Sequence, residues 1–411
     1  MKTPELPKQK IAQHGAPLCL ALSMMLASLG TSIANIALPT LASDFGVPFH
    51  QVQWVVIAYL VAITLFVVIA GRLGDVLGRQ RMLVLGLVLF SLASALCGLA
   101  SGLWMLVAAR TLQGIGSAFM MTLAIALVRE TVGTERVGRA MGLLGTMSAI
   151  GTALGPSLGG VLIRWAGWPA IFLVLVPVGL LAAGLALRFL PPVAPAEKMP
   201  RLNLSALGES GVLAGLSANL LVANVMMATL LIGPFYLAVA LGLRETIIGL
   251  IMSVGPVISI CTGVPSGQLV DSWGARRVLT LGLGFVAIGA IALSTLPAMF
   301  GAVGYIAAIA ILTPGYQMFQ AANNAMMTAN VPVDQRGAVS GLLSLSRNIG
   351  LISGASFMGA VFTVGVGSSA IEDADYGAIL DGMQTTFLLG GVSILIALWF
   401  TRLSAPDHVE Q

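Results

Sequence analysis

Gly71-Arg72-Leu73-Gly74-Asp75-Val76-Leu77-Gly78-Arg79-Gln80-Arg81 recurs as Gly267-Gln268-Leu269-Val270-Asp271-Ser272-Trp273-Gly274-Ala275-Arg276-Arg277. The matched glycines, leucines and aspartates, and the Arg81/Arg277 pair, stand 196 positions apart, close to half of a 411-residue chain. Each copy is flanked by long apolar stretches. A charged segment repeated at one offset in such surroundings implies two duplicated membrane bundles, a parallel repeat of the kind transporters carry.

Composition agrees with the repeat. Hydrophobic residues make up 57% of the chain and charged residues 9%, with a mean hydropathy of +0.98; soluble domains carry roughly 25% charged residues. A membrane span needs about 20 apolar residues, so the expected fold is an all-α polytopic membrane protein with twelve transmembrane helices in two six-helix bundles. Predicted helices run over 17–41, 53–70, 82–100, 103–128, 140–162 and 169–190, then 210–237, 247–269, 278–296, 301–325, 337–364 and 383–403. The domain division is a tail 1–16, a first bundle 17–190, a linker 191–209, a second bundle 210–403 and a tail 404–411. Pro191-Pro192 through Pro200 is the proline-rich, partly charged connection that marks the linker.

Charge fixes the expected orientation. Of the 20 Lys and Arg residues, only Arg164 and Arg244 fall in segments on one side and Arg110 inside a span. The other seventeen, Arg347 among them, are assigned to the opposite side, which by the positive-inside rule is the cytoplasm. Both termini are then cytoplasmic, and the chain is a multi-pass protein of the cell membrane, a bacterial inner membrane. Because each two-bundle chain encloses its own pathway, a monomer is the expected functional unit, and its partners are a small-molecule substrate, the lipid bilayer and protons, with no nucleic acid.

Several chemistries are excluded. The three histidines, His14, His50 and His408, lie outside the predicted spans, and Cys19, Cys97 and Cys261 are isolated. No metal site or cofactor is expected from them. No paired carboxylates or Ser-His arrangement occurs within the spans, and no Gly-x-x-x-x-Gly-Lys-Ser/Thr loop appears, so neither an intramembrane enzyme nor nucleotide hydrolysis is expected.

Three motifs carry a resemblance. The first loop is similar to the signature between helices 2 and 3 of the major facilitator superfamily, and Leu106-x-x-x-Arg110-x-x-Gln113-Gly114-x-Gly116 resembles its helix 4 signature. Gly151-x-x-x-Gly155-Pro156-x-x-Gly159-Gly160 resembles the helix 5 motif of antiporters. The chain thus resembles a twelve-span drug:proton antiporter, and the resemblance implies export of a small lipophilic or amphipathic solute by alternating access, with proton antiport. A dedicated metabolite exporter or uptake facilitator without proton coupling is the alternative, and a solute receptor of transporter form is a remoter one.

Within that frame Gly71, Asp75, Gly78, Arg79 and Arg81 form a candidate gate, with Asp75 pairing Arg79 or Arg81, and Gly267, Asp271, Gly274 and Arg276 or Arg277 form its counterpart. Gly151, Gly155 and Gly159 make one close-packing stripe, loosened by Pro156. Arg110 cannot discard its charge and needs partners; Asn35, Thr31, Ser32 and Gln113 are candidates at its depth. Tyr59, Asn224, Tyr236, Gln317, Gln320 and Asn324 are further candidates for substrate contact or for bonding between helices, both readings being open. Asn219 and Asn224 are five residues apart, so one of the two is expected on the cavity side. One departure from the pattern stands out: Gly30 occupies a place where the larger drug antiporters commonly have an aspartate, and no Asp or Glu falls near the middle of a predicted span. Glu130 and Glu209, at helix ends, are the remaining candidates for coupling.

Overall fold

The computed structural model describes residues 7–131, 137–190, 210–329, 336–367 and 374–403. Among these the secondary structure is helical throughout. The spans are α1 (Gly15–Phe45), α2 (Trp54–Leu77), α3 (Arg79–Gly98), α4 (Leu103–Val128), α5 (Leu143–Ala166), α6 (Ala170–Phe189), α7 (Val212–Ala240) and α8 (Glu245–Trp273), and later α11 (Gly341–Val366) and α12 (Tyr376–Thr401). Between α8 and α11 lies one apolar stretch, Ala275–Met327, 53 residues long. At 1.5 Å per residue a helix of that length would be about 80 Å, far more than the roughly 30 Å of a bilayer core. The backbone breaks at Gly301 (φ 58°, ψ −133°), a conformation open to glycine alone, giving α9 (275–300) and α10 (302–329). Twelve spans result. The linker 191–209 and the tail 404–411 lie outside the described residues, as do the side chains of Glu130 and Glu209.

The chain forms two compact units. One contains described residues up to 45 and from 54 to 190; the other contains 46–53 and those from 210 onward. In the second unit Phe49 is buried edge-on to Phe235 and Phe362, with ring centroids 4.7 and 5.5 Å away.

Two span boundaries differ from the sequence expectation by seven residues, α2 running on to Leu77 rather than 70 and α12 starting early. α12 begins at Tyr376 rather than 383, because the Asp375 carboxylate accepts the Ala378 amide (2.8 Å) and caps the helix, leaving Asp381 on an exposed face. Arg347, assigned above to a loop side, lies inside the α11 span. α1 is regular to Ser32, tightens into a 3₁₀ turn at Asn35–Ala37 and resumes at Leu38. Pro39 has no N–H to return to Asn35, which accounts for the tightened turn. α5 remains helical through Pro156.

Between membrane helices, small residues permit close approach, and both units use the same crossings. In the first, Gly86 of α3 and Gly116 of α4 pack backbone to backbone; in the second, Gly282 of α9 and Gly315 of α10 do the same. Gly151 and Gly155 of α5 lie against Met25, Leu29 and Ser32 of α1, while Gly350 and Gly354 of α11 lie against Leu220 and Asn224 of α7. A Cβ on Gly282 would meet the Phe319 amide nitrogen at 2.6 Å and the Gly315 oxygen at 2.9 Å, whereas one on Gly284, two residues on, meets nothing within 4 Å. Gly282→Ala should therefore destabilise the purified protein by about 1–3 kcal/mol, read as a lowered thermal midpoint in detergent, with Gly284→Ala close to wild type.

Candidate functional site

Gly114 and Gly116 project to opposite sides of α4, about 200° apart on a helix of 3.6 residues per turn. Gly114 admits the Tyr59 backbone of α2, and Gly116 admits Gly86 and Phe90 of α3. Those two contacts bring α2 and α3 within reach of the polar side chains one turn earlier on α4. Arg110, fully buried at 0% exposure, donates from Nε to the Val55 carbonyl (3.0 Å) and from Nη1 to the Gly30 carbonyl (3.0 Å) and to Gln113 Oε1. Gln113 passes the chain on from Nε2 to Ser94 Oγ of α3 (2.7 Å). The guanidinium carbon sits 4.0 Å above the Tyr59 ring and 5.8 Å from the Phe172 ring of α6. Tyr59 Oη donates to the Ala27 carbonyl of α1 (2.9 Å) and lies 2.7 Å from Ser117 Oγ.

No acid takes part in this node. The positive charge rests on carbonyl dipoles, an amide oxygen and a π face, an arrangement that suits a planar five-donor cation. Arg110 Nη2 is buried without a hydrogen-bond partner. Of the neighbours expected for Arg110, Gln113 is present. Ser32 turns instead to the Gly151 carbonyl (3.3 Å), and Asn35 donates to the Thr31 carbonyl (3.4 Å), leaving its own Oδ1 unpartnered. Sequence inspection did not identify Tyr59 as the residue beneath the charge, because a ring face leaves no spacing signal. Gly30 explains its own lack of a side chain: a Cβ there would lie 3.0 Å from Tyr59 Oη and 3.1 Å from the Phe90 ring.

In the second unit the candidate polar residues serve different contacts. Asn219 and Asn224 of α7 both reach α11, donating to the Leu343 carbonyl (2.8 Å) and to Ser353 Oγ (2.9 Å). Both are used, because α11 runs beside α7 along this length and meets each position in turn. Tyr236 is buried, donates to the Pro297 carbonyl (3.0 Å) and stacks on Tyr305. On α10, Gln320 donates to Tyr316 Oη (2.9 Å); Gln317 is half-buried and Asn324 is exposed. Arg347, half-buried in α11 with its Nε unpartnered, is a second in-span cation that the loop assignment hid.

The two hairpins share a backbone and differ in side chains. Gly78 (φ 97°) and Gly274 (φ 86°) join α2 to α3 and α8 to α9, each amide donating to the carbonyl four residues back at 3.0 Å. In the first, Arg79 binds Asp75 Oδ1 through Nη2 (2.7 Å) and Nε (3.0 Å), and Arg81 is exposed. In the second, Ala275 replaces the pairing arginine.

Twelve apolar spans, an enclosed cation and duplicated helix crossings define a transporter embedded in a membrane, not an enzyme. Residues 20–355 match the Major Facilitator Superfamily, and the chain belongs to that family. It is 28% identical to the riboflavin transporter RibZ of Clostridioides difficile over 84% of this chain and 87% of that protein. To the multidrug efflux pump LfrA of Mycolicibacterium smegmatis it is 26% identical, over 84% of this chain and 80% of the pump. Its fold is similar to that of a bacterial homolog of the human lysosomal transporter Spinster, with a TM-score of 0.79 at 16% identity, covering 94% of this chain and 96% of the other.

Arg110→Lys keeps the charge and loses the fork, so thermal stability should fall by about 1–3 kcal/mol. Tyr59→Phe, which keeps the ring face and loses only the hydroxyl bonds, should cost about 1 kcal/mol, and thermal unfolding of the two variants side by side checks the order.

Proposed function

We propose that the chain exports a small amphipathic solute by alternating access and that this solute is neutral or anionic. The observation that carries the reading is the sign of the charge within the spans. Arg110 and Arg347 lie within membrane helices, while the described acids Asp44, Asp75, Glu245, Asp271 and Asp375 lie at helix ends and Asp381 lies in the second turn of α12, on its exposed face. A lipophilic cation entering such a pathway meets no counter-charge, whereas a carboxylate or a polar neutral solute meets the half-buried Arg347 and an amide-lined α10. The relatives are named for riboflavin, actinorhodin and multidrug efflux, so the family leaves the cargo open and the in-span charge narrows it. Arg347, Gln317, Gln320 and Asn324 are the side chains we assign to substrate, Arg110 and Tyr59 to holding the first unit in shape. The Asp75–Arg79 hairpin and its Asp271 counterpart are assigned to gating on the cytoplasmic side, where we also assign both termini by the positive-inside rule, in a bacterial inner membrane.

Proton antiport is the mode the family resemblance favours, and it needs a carboxyl that titrates from either face. The sequence supplies none in mid-span, which supports a second reading, a carrier for one metabolite without proton coupling. Transport by the full chain in proteoliposomes under an imposed pH gradient separates the two: antiport predicts gradient-dependent flux, and the uncoupled carrier predicts flux indifferent to it. With a panel of anionic, neutral and cationic lipophiles, Arg347→Gln should raise the KM for anionic solutes about tenfold, the loss of roughly 1.4 kcal/mol, and leave neutral ones unchanged. Preferred transport of cations by the wild type would sink the charge argument. Gly30→Asp, whose side chain would crowd Tyr59 Oη and the Phe90 ring, should lower stability as well as shift selectivity toward cations. Asp75→Asn should alter stability by less than about 1 kcal/mol, as expected of a half-exposed ion pair, yet slow flux severalfold; unchanged flux would remove the hairpin from gating.

A further inference from the structure

The second hairpin has lost the internal contacts of the first. At matched positions Leu77 becomes Trp273, Arg79 becomes Ala275 and Gln80 becomes Arg276, while Arg81 is kept as Arg277. In the first hairpin Gln80 is buried and donates to the Leu190 (2.7 Å) and Ala186 (3.3 Å) carbonyls at the end of α6, and Arg79 is held by Asp75. In the second, Arg276 and Arg277 are both exposed, and their guanidinium groups form no hydrogen bond or ion pair among the described residues. Asp271 is likewise exposed and does not pair with them. Trp273 is 54% exposed. Trp273, Arg276 and Arg277, with Thr280 and Leu281, line an open cleft of about 600 Å³.

Position makes the cluster unusual. Two guanidinium groups stand in the first turn of α9, which contains no acid, so they add to the positive end of the helix dipole instead of offsetting it. The first amides of α9 also lack intrahelical acceptors. Such a concentration of positive charge is unfavourable unless an anion sits against it. The hairpin lies where two spans, Glu245–Trp273 and Ala275–Met327, meet the edge of the bilayer, the depth at which tryptophan is favoured. From the cleft a stripe of exposed apolar side chains, Leu281, Phe285 and Ile288, runs down one face of α9 at spacings of four and three. A phosphodiester at the arginines would therefore have a track for acyl chains directly beneath it.

We propose that the α8–α9 hairpin is a binding site for an anionic phospholipid, its headgroup phosphate held by Arg276 and Arg277 against the Trp273 indole and its tails lying along Leu281, Phe285 and Ile288. The site lies on the hairpin assigned above to gating, apart from the side chains assigned to substrate, and does not depend on the cargo. Divergence of the second hairpin has converted a self-paired loop into a lipid contact, leaving the two copies with the same turn and different partners.

Native mass spectrometry of the full purified chain, with dioleoylphosphatidylglycerol and dioleoylphosphatidylcholine added in equal amounts, tests the site. Wild type should retain phosphatidylglycerol in preference to phosphatidylcholine, and Arg276→Gln/Arg277→Gln should reduce that retention about tenfold or more, as loss of two interfacial cations implies. Arg276→Lys/Arg277→Lys should recover most of it, and Arg72→Gln, in the first hairpin, should leave it within about twofold. Millimolar inorganic phosphate should not displace the lipid. Equal retention by the Gln double variant, or equal retention of the two lipids by wild type, overturns the proposal; displacement by inorganic phosphate overturns it in favour of a free phosphate site.

Discussion

The first unit depends on one unneutralised charge. Arg110 has been withdrawn from water without an acid to meet it, and an isolated guanidinium in an apolar interior is costly enough to require several partners at once. Those partners come from α1, α2 and α4 directly and from α3 through Gln113, with α6 supplying a ring at the edge. The helices must therefore hold their relative depth and rotation for the charge to be tolerated. Glycine makes this possible: at Gly114 and Gly116 the backbones of α2 and α3 come close enough for main-chain and short side-chain oxygens to reach the cation. A motif that reads as one basic residue followed by small ones is a single device, the small residues admitting the acceptors that the basic residue needs.

How much of this could be read from the residues depends on the kind of signal. The doubled hairpin was legible because matched charges are rare in an apolar chain, and it correctly implied duplicated bundles. The α5 glycine stripe was legible too, but its partner at Gly350 and Gly354 was not. By that point the offset between halves has widened from 196 to 199, and no proline marks the second copy. Arg347 was counted with the cytoplasmic residues although the expected span 337–364 enclosed it, because a positive-inside count rewards assigning every arginine to a loop. The start of α12 was missed because acidic residues read as loop, although Asp375 serves as a cap and Asp381 rides on the helix surface. Tyr59 was singled out, yet its service as a platform for Arg110 follows only from the rotation of α2, which no periodicity in a uniformly apolar span reveals.

The halves are alike in backbone and unlike in chemistry. Crossings of α3 with α4 and α9 with α10 are built from the same glycine pairs, and both hairpins turn at an equivalent glycine. Among the described residues the second unit has no counterpart of the arginine node: with Gly315 matching Gly116, at an offset of 199, Ile309 and Leu312 fall at the positions of Arg110 and Gln113. That unit contains instead the exposed amide face of α10, the half-buried Arg347, and π-helical turns at Tyr236–Ala240 and Gly354–Met358. Duplication fixed the packing solution first, and polar function was then distributed unevenly over it.

The seven residues with left-handed backbone are all glycines: Gly46, Gly78, Gly167, Gly242, Gly274, Gly301 and Gly367. Each sits where one span gives way to the next. At these turns reversal of direction is a matter of local chirality rather than of loop length, since a single achiral residue does what a stretch of hydrophilic chain does elsewhere. The described glycines therefore include two populations that composition alone cannot separate, those that let helices touch and those that let the chain invert its hand. The first population tolerates a methyl group wherever a neighbour can yield; the second resists any mirror-asymmetric side chain however much space surrounds it.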